Sequence, residues 1–243
     1  MHRANDGMVP RHWPREVTYL TTENRWHPET VASVLDTFRQ ISLSPHASAT
    51  TLWQQLRQEH LDGDLPMRSF EPRRVASLAE IRMLPDTHPA FQTGRCACGL
   101  FAKRRILPHA YLFDYLGTYT HDDQLLHAVP ESDYVLHLHG PLNIDAGAYG
   151  NEGRCINDYR GIAAHPNVYF ETYFDHSTDQ LRAGVFAMKW PILPGEEIVT
   201  TYGYENYWQL DAHMSQTVPD PRDLVEWDHA WDASDEETEM IAS

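Results

Sequence analysis

A mainly β domain preceded by a helical N-terminal region is the fold class this sequence predicts, and three observations predict it. From Gly99 to Gly203 the chain is a series of short runs rich in Val, Ile, Tyr, Phe and Thr: GLFAKRRI, AYLFDYLGTYT, DYVLHLHG, LNIDA, NVYFETYFD, AGVFAMKW and EEIVTTYG. Gly, Pro, Asp and His turns part them, the pattern of several small sheets with few helices. Helical spacing of apolar residues, by contrast, is confined to the stretch before Pro85. With 243 residues, 42% of them hydrophobic, the chain can bury a real core, and its length favours one or two domains. These observations divide it into an arm and helical preface over 1–80, a β domain over 81–210 and an acidic, tryptophan-bearing tail over 211–243.

In chain order, residues 1 to 27 mix Pro, His and charges without a period and read as an irregular or poorly ordered arm. Val31, Val34, Leu35, Phe38 and Ile41 then recur at three and four residues, with Pro28 and Glu29 at the start, which predicts an amphipathic helix ending near Pro45. Ser48 opens a second, with Leu52, Trp53, Leu56 and Leu61 on one side and Gly63 as the stop. Such stripes read as packing surface, with a substrate-docking preface as the alternative. A third helical reading covers Pro72 to Met83, with a strand after Ser77 as its alternative. Arg73 and Arg74 within it read as a solvated face. Beyond Leu210, Trp227 and Trp231 stand in the acidic stretch DLVEWDHAWDASDEETE and need something to pack against.

Charge and cysteine content narrow the function classes. A formal net charge of −16 argues against direct nucleic-acid binding, which needs clustered cations to release counterions from phosphates, and suits a basic partner. The three cysteines, at 96, 98 and 155, are too few for a disulfide framework or a four-cysteine zinc site, which points to a reducing compartment, nuclear or cytoplasmic. The N-terminal MHRANDGMVPRHWPREV lacks the apolar core of a signal peptide, and no apolar run approaches the ~18 residues of a membrane span. Cys96-x-Cys98 and His137-x-His139 have ligand-like spacing without obvious further ligands, so no metal is expected. No phosphate loop, dinucleotide fingerprint or nucleophile elbow is present.

Two ordered segments carry the sharpest signal: Gly150-Asn151-Glu152-Gly153-Arg154-Cys155-Ile156-Asn157-Asp158-Tyr159-Arg160 and Gly195-Glu196-Glu197-Ile198-Val199-Thr200-Thr201-Tyr202-Gly203. They resemble the two signature motifs of SET-domain protein methyltransferases, Gly-Asn-x-x-Arg-Phe-Ile-Asn-His-Ser-Cys and Gly-Glu-Glu-Leu-x-x-x-Tyr-Gly. The family's first motif, a Gly-x-Gly before an apolar strand, is matched by Ala97-Cys98-Gly99-Leu100-Phe101-Ala102 with the first glycine replaced. Ile106, Tyr115, Gly117 and Tyr134 continue the resemblance, which covers about Ile81 to Trp208. Asp158 stands in place of the motif's histidine, Tyr159 and Arg160 in place of Ser-Cys, and Pro166-Asn167 follows a lengthened loop. That combination looks like a fungal or algal branch of the family.

The resemblance implies transfer of a methyl from S-adenosylmethionine to a lysine of a basic protein or peptide, such as a histone tail. Tyr202 matches the catalytic tyrosine. Cys98, Gly99, Leu100, Phe101, Tyr134, Arg154, Asn157 and Asp158 match cofactor-binding positions, while Tyr115, Tyr134, Thr200 and Tyr204 match the walls of the lysine channel. Thr200 stands where the family often places a Phe or Tyr that limits how many methyls fit. Many relatives carry a cysteine-rich zinc segment after the catalytic tyrosine; here no cysteine follows Cys155, so Trp208 or the Trp227 and Trp231 segment is expected to cover the adenine. The alternative is a non-catalytic SET-fold interaction module, because a fold does not guarantee chemistry. The replaced glycine and histidine favour the module, whereas Tyr202, Asn157 and Arg154 favour the enzyme.

Overall fold

Strands this short cannot bury both faces of one broad sheet, and the chain resolves the problem with five small sheets among the described residues. The computed structural model describes residues 9–26, 65–71, 74–92, 98–121, 132–139, 142–178 and 180–202. Two units divide the chain after Thr201; every element below belongs to the first, and Tyr202 is the one described residue of the second. The helices expected over 28–45 and 48–63 lie outside the described residues, as do Tyr204, Trp208, Trp227 and Trp231.

The central four-stranded sheet runs β3 (Met67–Arg68), β12 (Val168–Asp175), β13 (Gln180–Ala187), β6 (Tyr111–Asp114). β12 and β13 form a hairpin in register from Val168↔Ala187 to Asp175↔Gln180. Its turn is held by Asp175, whose carboxylate accepts from Ser177 N at 3.0 Å, Ser177 Oγ at 2.7 Å and Thr178 Oγ1 at 2.8 Å. β13 lies between two neighbours and is buried from Leu181 to Ala187 without alternation, as a strand covered on both faces should be. Arg182, inside this sheet, meets Asp114 Oδ2 at 2.9 Å and Asp175 Oδ2 at 3.1 Å, so its buried charge is paired.

A second four-stranded sheet orders β2 (Arg25–Trp26), β7 (Thr118–His121), β9 (Leu142–Asp145) and β8 (Val135–His139). Two-stranded pairs complete the architecture: β1 (Thr18–Tyr19) with β10 (Tyr149–Gly150), β4 (Ala79–Met83) with β5 (Cys98–Ala102), and β11 (Asn157–Asp158) with β14 (Val199–Thr200). One core packs Leu100, Ile156, Val185, Ile192 and Ile198; the other packs Tyr119, Ile144, Phe174 and Leu181.

Two sequence readings are settled by the structure. Over Pro72 to Met83 the helix gives way to its alternative, a strand after Ser77: the described part forms a 3-10 turn at Val75–Ser77 and then the strand β4. Val75, Leu78 and Ile81 do fit a helical period, yet Ala79 and Ile81 also alternate with exposed Glu80 and Arg82, and the antiparallel partner β5 decides in favour of the strand. The N-terminal arm is attached rather than loose over 9–26: Thr18 N and Leu20 N donate to Ala148 O and Gly150 O at 2.9 and 2.7 Å, and Arg25 N donates to Gly117 O at 2.9 Å. Two-residue strands leave no periodic trace, so the sequence could not reveal them.

Candidate active site

The two motif segments meet because β11 and β14 pair in parallel, Asn157 opposite Val199 and Asp158 opposite Thr200. Parallel neighbours need a crossover. Here the chain leaves β11, runs out through the β12–β13 hairpin and returns along Ile192–Ile198. Tyr159 N donates to Thr200 O at 2.9 Å, extending the pairing. Asn167 then clamps β14 like an extra piece of backbone: its N donates to Val199 O at 3.0 Å, its Oδ1 accepts Val199 N at 2.9 Å, and its Nδ2 donates to Glu197 O at 2.8 Å.

Asn157 lies at the junction of three segments. Its Nδ2 donates to Cys98 O at 3.1 Å on β5 and to Glu197 Oε1 at 2.8 Å just before β14. Both amide hydrogens are thereby used, which orients Oδ1 as an acceptor with no hydrogen bond to the described residues. The other oxygen of Glu197, Oε2, lies 3.0 Å from His88 Nε2. Glu197 also explains Gly99: a Cβ there would come within 2.5 Å of Glu197 Oε1, so only glycine lets the carboxylate reach over β5. Cys98 and Cys155, both buried, bring their sulfurs to 3.0 Å and tie β5 to the 3-10 turn Glu152–Cys155.

Asn151 positions that turn. Its side chain caps it, accepting from Gly153 N at 3.2 Å and from Leu116 N at 3.1 Å, and donates to Asp114 O at 2.7 Å. Within the turn, the Arg154 guanidinium sits 3.9 Å from the centroid of the Tyr134 ring and 5.7 Å from that of Trp13. Arg154 Nε is buried without a hydrogen-bond partner among the described residues. Glu152 beside it is 2% exposed, with Tyr19 OH donating to Oε1 at 2.9 Å and Oε2 buried without a hydrogen-bond partner among the described residues. Burial pushes the Glu152 carboxyl above the ordinary carboxylate range, and its own amide and the Tyr19 hydroxyl pull it back only in part.

The remaining sequence-predicted residues fall as follows. Tyr115, buried, donates from its hydroxyl to Tyr134 O at 2.8 Å, so these two channel candidates are joined. Leu100 is fully buried in the core, while Phe101 is half-buried with the Arg82 guanidinium 4.7 Å from its ring centroid. The Asp158 carboxylate is closed onto its own loop by Arg160, at 2.9 Å from N and 2.7 Å from Nη1. Thr200 is buried, and Tyr202 follows two residues after it in the chain. Sequence reasoning missed His88, Glu197 as a side-chain partner, and the contribution of Trp13 and Tyr19. Only Glu197 left a signal, as the second acid of Gly-Glu-Glu-Ile.

Residues 97–203 match the family model of the SET domain, a stretch that contains both motif segments. The chain is similar to the histone-lysine N-methyltransferase Set2 of Drosophila melanogaster, 32% identical over 124 residues that cover 48% of this chain and 5% of the fly protein. A histone-lysine N-methyltransferase of Aspergillus fumigatus, H3 lysine-36 specific, is 28% identical over 145 residues, 57% of this chain and 13% of that protein. The chain thus spans a small fraction of the length of these relatives. Among solved structures, Chaetomium thermophilum polycomb repressive complex 2 aligns with TM-score 0.43 and 24% identity, covering 55% of this chain and 16% of that one. The complex bound to S-adenosylmethionine in an autoinhibited conformation aligns with TM-score 0.41 and 24% identity, covering 52% of this chain and 15% of that one.

Proposed function

We propose that this chain is an S-adenosylmethionine-dependent protein-lysine N-methyltransferase that acts on a basic, lysine-bearing segment such as a histone tail. The observation that carries the reading is the parallel β11–β14 pairing, which sets the Asn157 amide beside the strand that leads into Tyr202. The residues present suit the cofactor. Asn157 Oδ1, which both amide hydrogens of that side chain orient, would accept from the cofactor's ammonium, and Arg154, whose Nε is buried and unpaired among the described residues, would hold its carboxylate. Cys98, Gly99, Phe101, Tyr134 and Asp158 border the same region in this reading. Asp158 contributes through its main chain, since its carboxylate is engaged by Arg160.

When bound, S-adenosylmethionine supplies a methyl already activated on a sulfonium, so orientation does most of the work, worth up to roughly 7–11 kcal/mol. The tasks left to the protein are to align the methyl, for which the Tyr202 hydroxyl is assigned, and to admit a lysine as the neutral amine. Tyr115, Tyr134 and Thr200 are assigned to the walls of the lysine channel, where desolvation of the ammonium would favour loss of its proton. A net charge of −16 draws a basic substrate toward such a site, and a nuclear location fits that substrate.

Calorimetry with S-adenosylmethionine tests the reading. Saturable binding to the full chain that Asn157→Ala abolishes is the expected result; well-folded protein that takes up no cofactor would leave the non-catalytic interaction module, which the replaced glycine of the first motif and Asp158 favour.

A further inference from the structure

The cofactor reading leaves one half-buried pair unused: His88 and Glu197, whose side chains are 14% and 8% exposed. His88 comes from the segment between β4 and β5, ahead of the single-turn helix α1 (Pro89–Gln92), and matches nothing in the motifs. Its tautomer follows from its two contacts. Ala90 N donates to Nδ1 at 3.2 Å, so Nδ1 is the acceptor, and Nε2 carries the hydrogen donated to Glu197 Oε2 at 3.0 Å. Glu197 passes the constraint on, since its Oε1 accepts from Asn157 Nδ2 at 2.8 Å. An Asn amide turned by half a rotation would present oxygen instead of hydrogen to that carboxylate and to Cys98 O, two acceptors that reject it. The segment bearing His88 is itself seated against the lengthened loop after β11: a Cβ on Gly161 would come within 3.0 Å of Pro89 Cγ, and Gly161 holds φ +79°. The segment ahead of β5 and the lengthened loop at 159–165 therefore pack on each other and place one imidazole at the site.

We propose that His88 is a positioning residue for the methyl-transfer site: by fixing the Glu197 carboxylate it holds Asn157 Oδ1 in the orientation that accepts the cofactor's ammonium. The proposal rests on the S-adenosylmethionine reading above. His88 touches neither cofactor nor substrate in it, so its loss should weaken cofactor binding and spare the transfer step.

The test uses the full chain and S-adenosylmethionine itself, with cofactor affinity by calorimetry, thermal midpoints, and transfer rates to histone proteins at saturating cofactor. His88→Ala should weaken cofactor binding about tenfold, the loss expected for one hydrogen bond to a charged group, and raise KM for the cofactor with kcat held within about twofold. His88→Gln, which can still donate to Glu197, should recover binding to within about threefold of the parent. Gly161→Ala, which pushes on Pro89, should weaken binding in the same direction. Unchanged affinity in His88→Ala beside a binding parent overturns the proposal and leaves the cofactor reading standing. Equal loss in His88→Ala and His88→Gln also overturns it, since packing rather than the hydrogen bond is then responsible. A parent that binds no cofactor overturns both.

Discussion

Asn157 commits both hydrogens of one amide to acceptors 3.1 and 2.8 Å away, and what is left of that side chain is a single oriented oxygen. Glu152, a few residues earlier, is in the opposite situation: a carboxyl 2% exposed with one oxygen unpartnered among the described residues. Because burial raises its folded pKa above the ordinary 4.5, the folded state binds that proton more tightly than the unfolded chain does. Its contribution is therefore intact below the unfolded value and declines as pH rises toward the folded one. Glu152→Gln should gain stability relative to the parent as pH increases through that window, read as a growing separation of urea midpoints. Asp175 has the reverse sign. Burial alone would raise it, but hydrogen bonds from Ser177 and Thr178 and the Arg182 charge hold it below its ordinary range, so its contribution is present at neutral pH and lost in acid. Asp175→Asn should accordingly cost less at low pH than at neutral pH. None of this was legible beforehand, since the sequence marks Glu152 only as a variable position between Asn151 and Arg154.

At the scale of elements, the site depends on how firmly β14 is held beside β11. Asn167→Ala removes two side-chain hydrogen bonds to that strand, at 2.8 and 2.9 Å, and should cost roughly 1–3 kcal/mol in urea denaturation while weakening cofactor binding. Two glycines separate steric from conformational demands. A Cβ at Gly117 would lie 2.5 Å from the backbone oxygen of Asp145, so Gly117→Ala should cost about 2–3 kcal/mol. At Gly195 nothing lies within 4 Å but φ is +89°, so Gly195→Ala should cost only about 1–2 kcal/mol. Strand existence was largely readable, because β5 to β9, β12 and β13 are runs of β-branched and aromatic residues between turn formers. Pairing was not. β11 and β14 are two residues each and join segments forty residues apart, and β1 and β2 lie in an arm whose composition signals no structure. The ambiguity at β4 has the same origin: an apolar spacing compatible with both helix and strand is settled by the partner β5, which lies beyond a local window.

For the whole molecule, the motif residues were found through spacing and resemblance, whereas their supports came from distant chain. Trp13 and Tyr19 reach Arg154 and Glu152, and His88 reaches Glu197 across 109 positions. No window along a single sequence carries such couplings. Charge, which has no address in the sequence, was legible from the start. At −16 the molecule should attract a basic peptide over a distance set by the Debye length, about 10 Å at 0.1 M salt. KM for a histone-tail peptide should therefore rise with added salt while KM for the small cofactor changes little, and steady-state assays across ionic strength check this.

Mass spectrometry of histone proteins incubated with the full chain and S-adenosylmethionine reads methyl transfer itself. Methylated lysines should appear only with cofactor and vanish with Tyr202→Phe, although that variant still binds cofactor. Unmodified histones from a parent chain that demonstrably binds S-adenosylmethionine, or equal methylation by Tyr202→Phe, would contradict the proposed function.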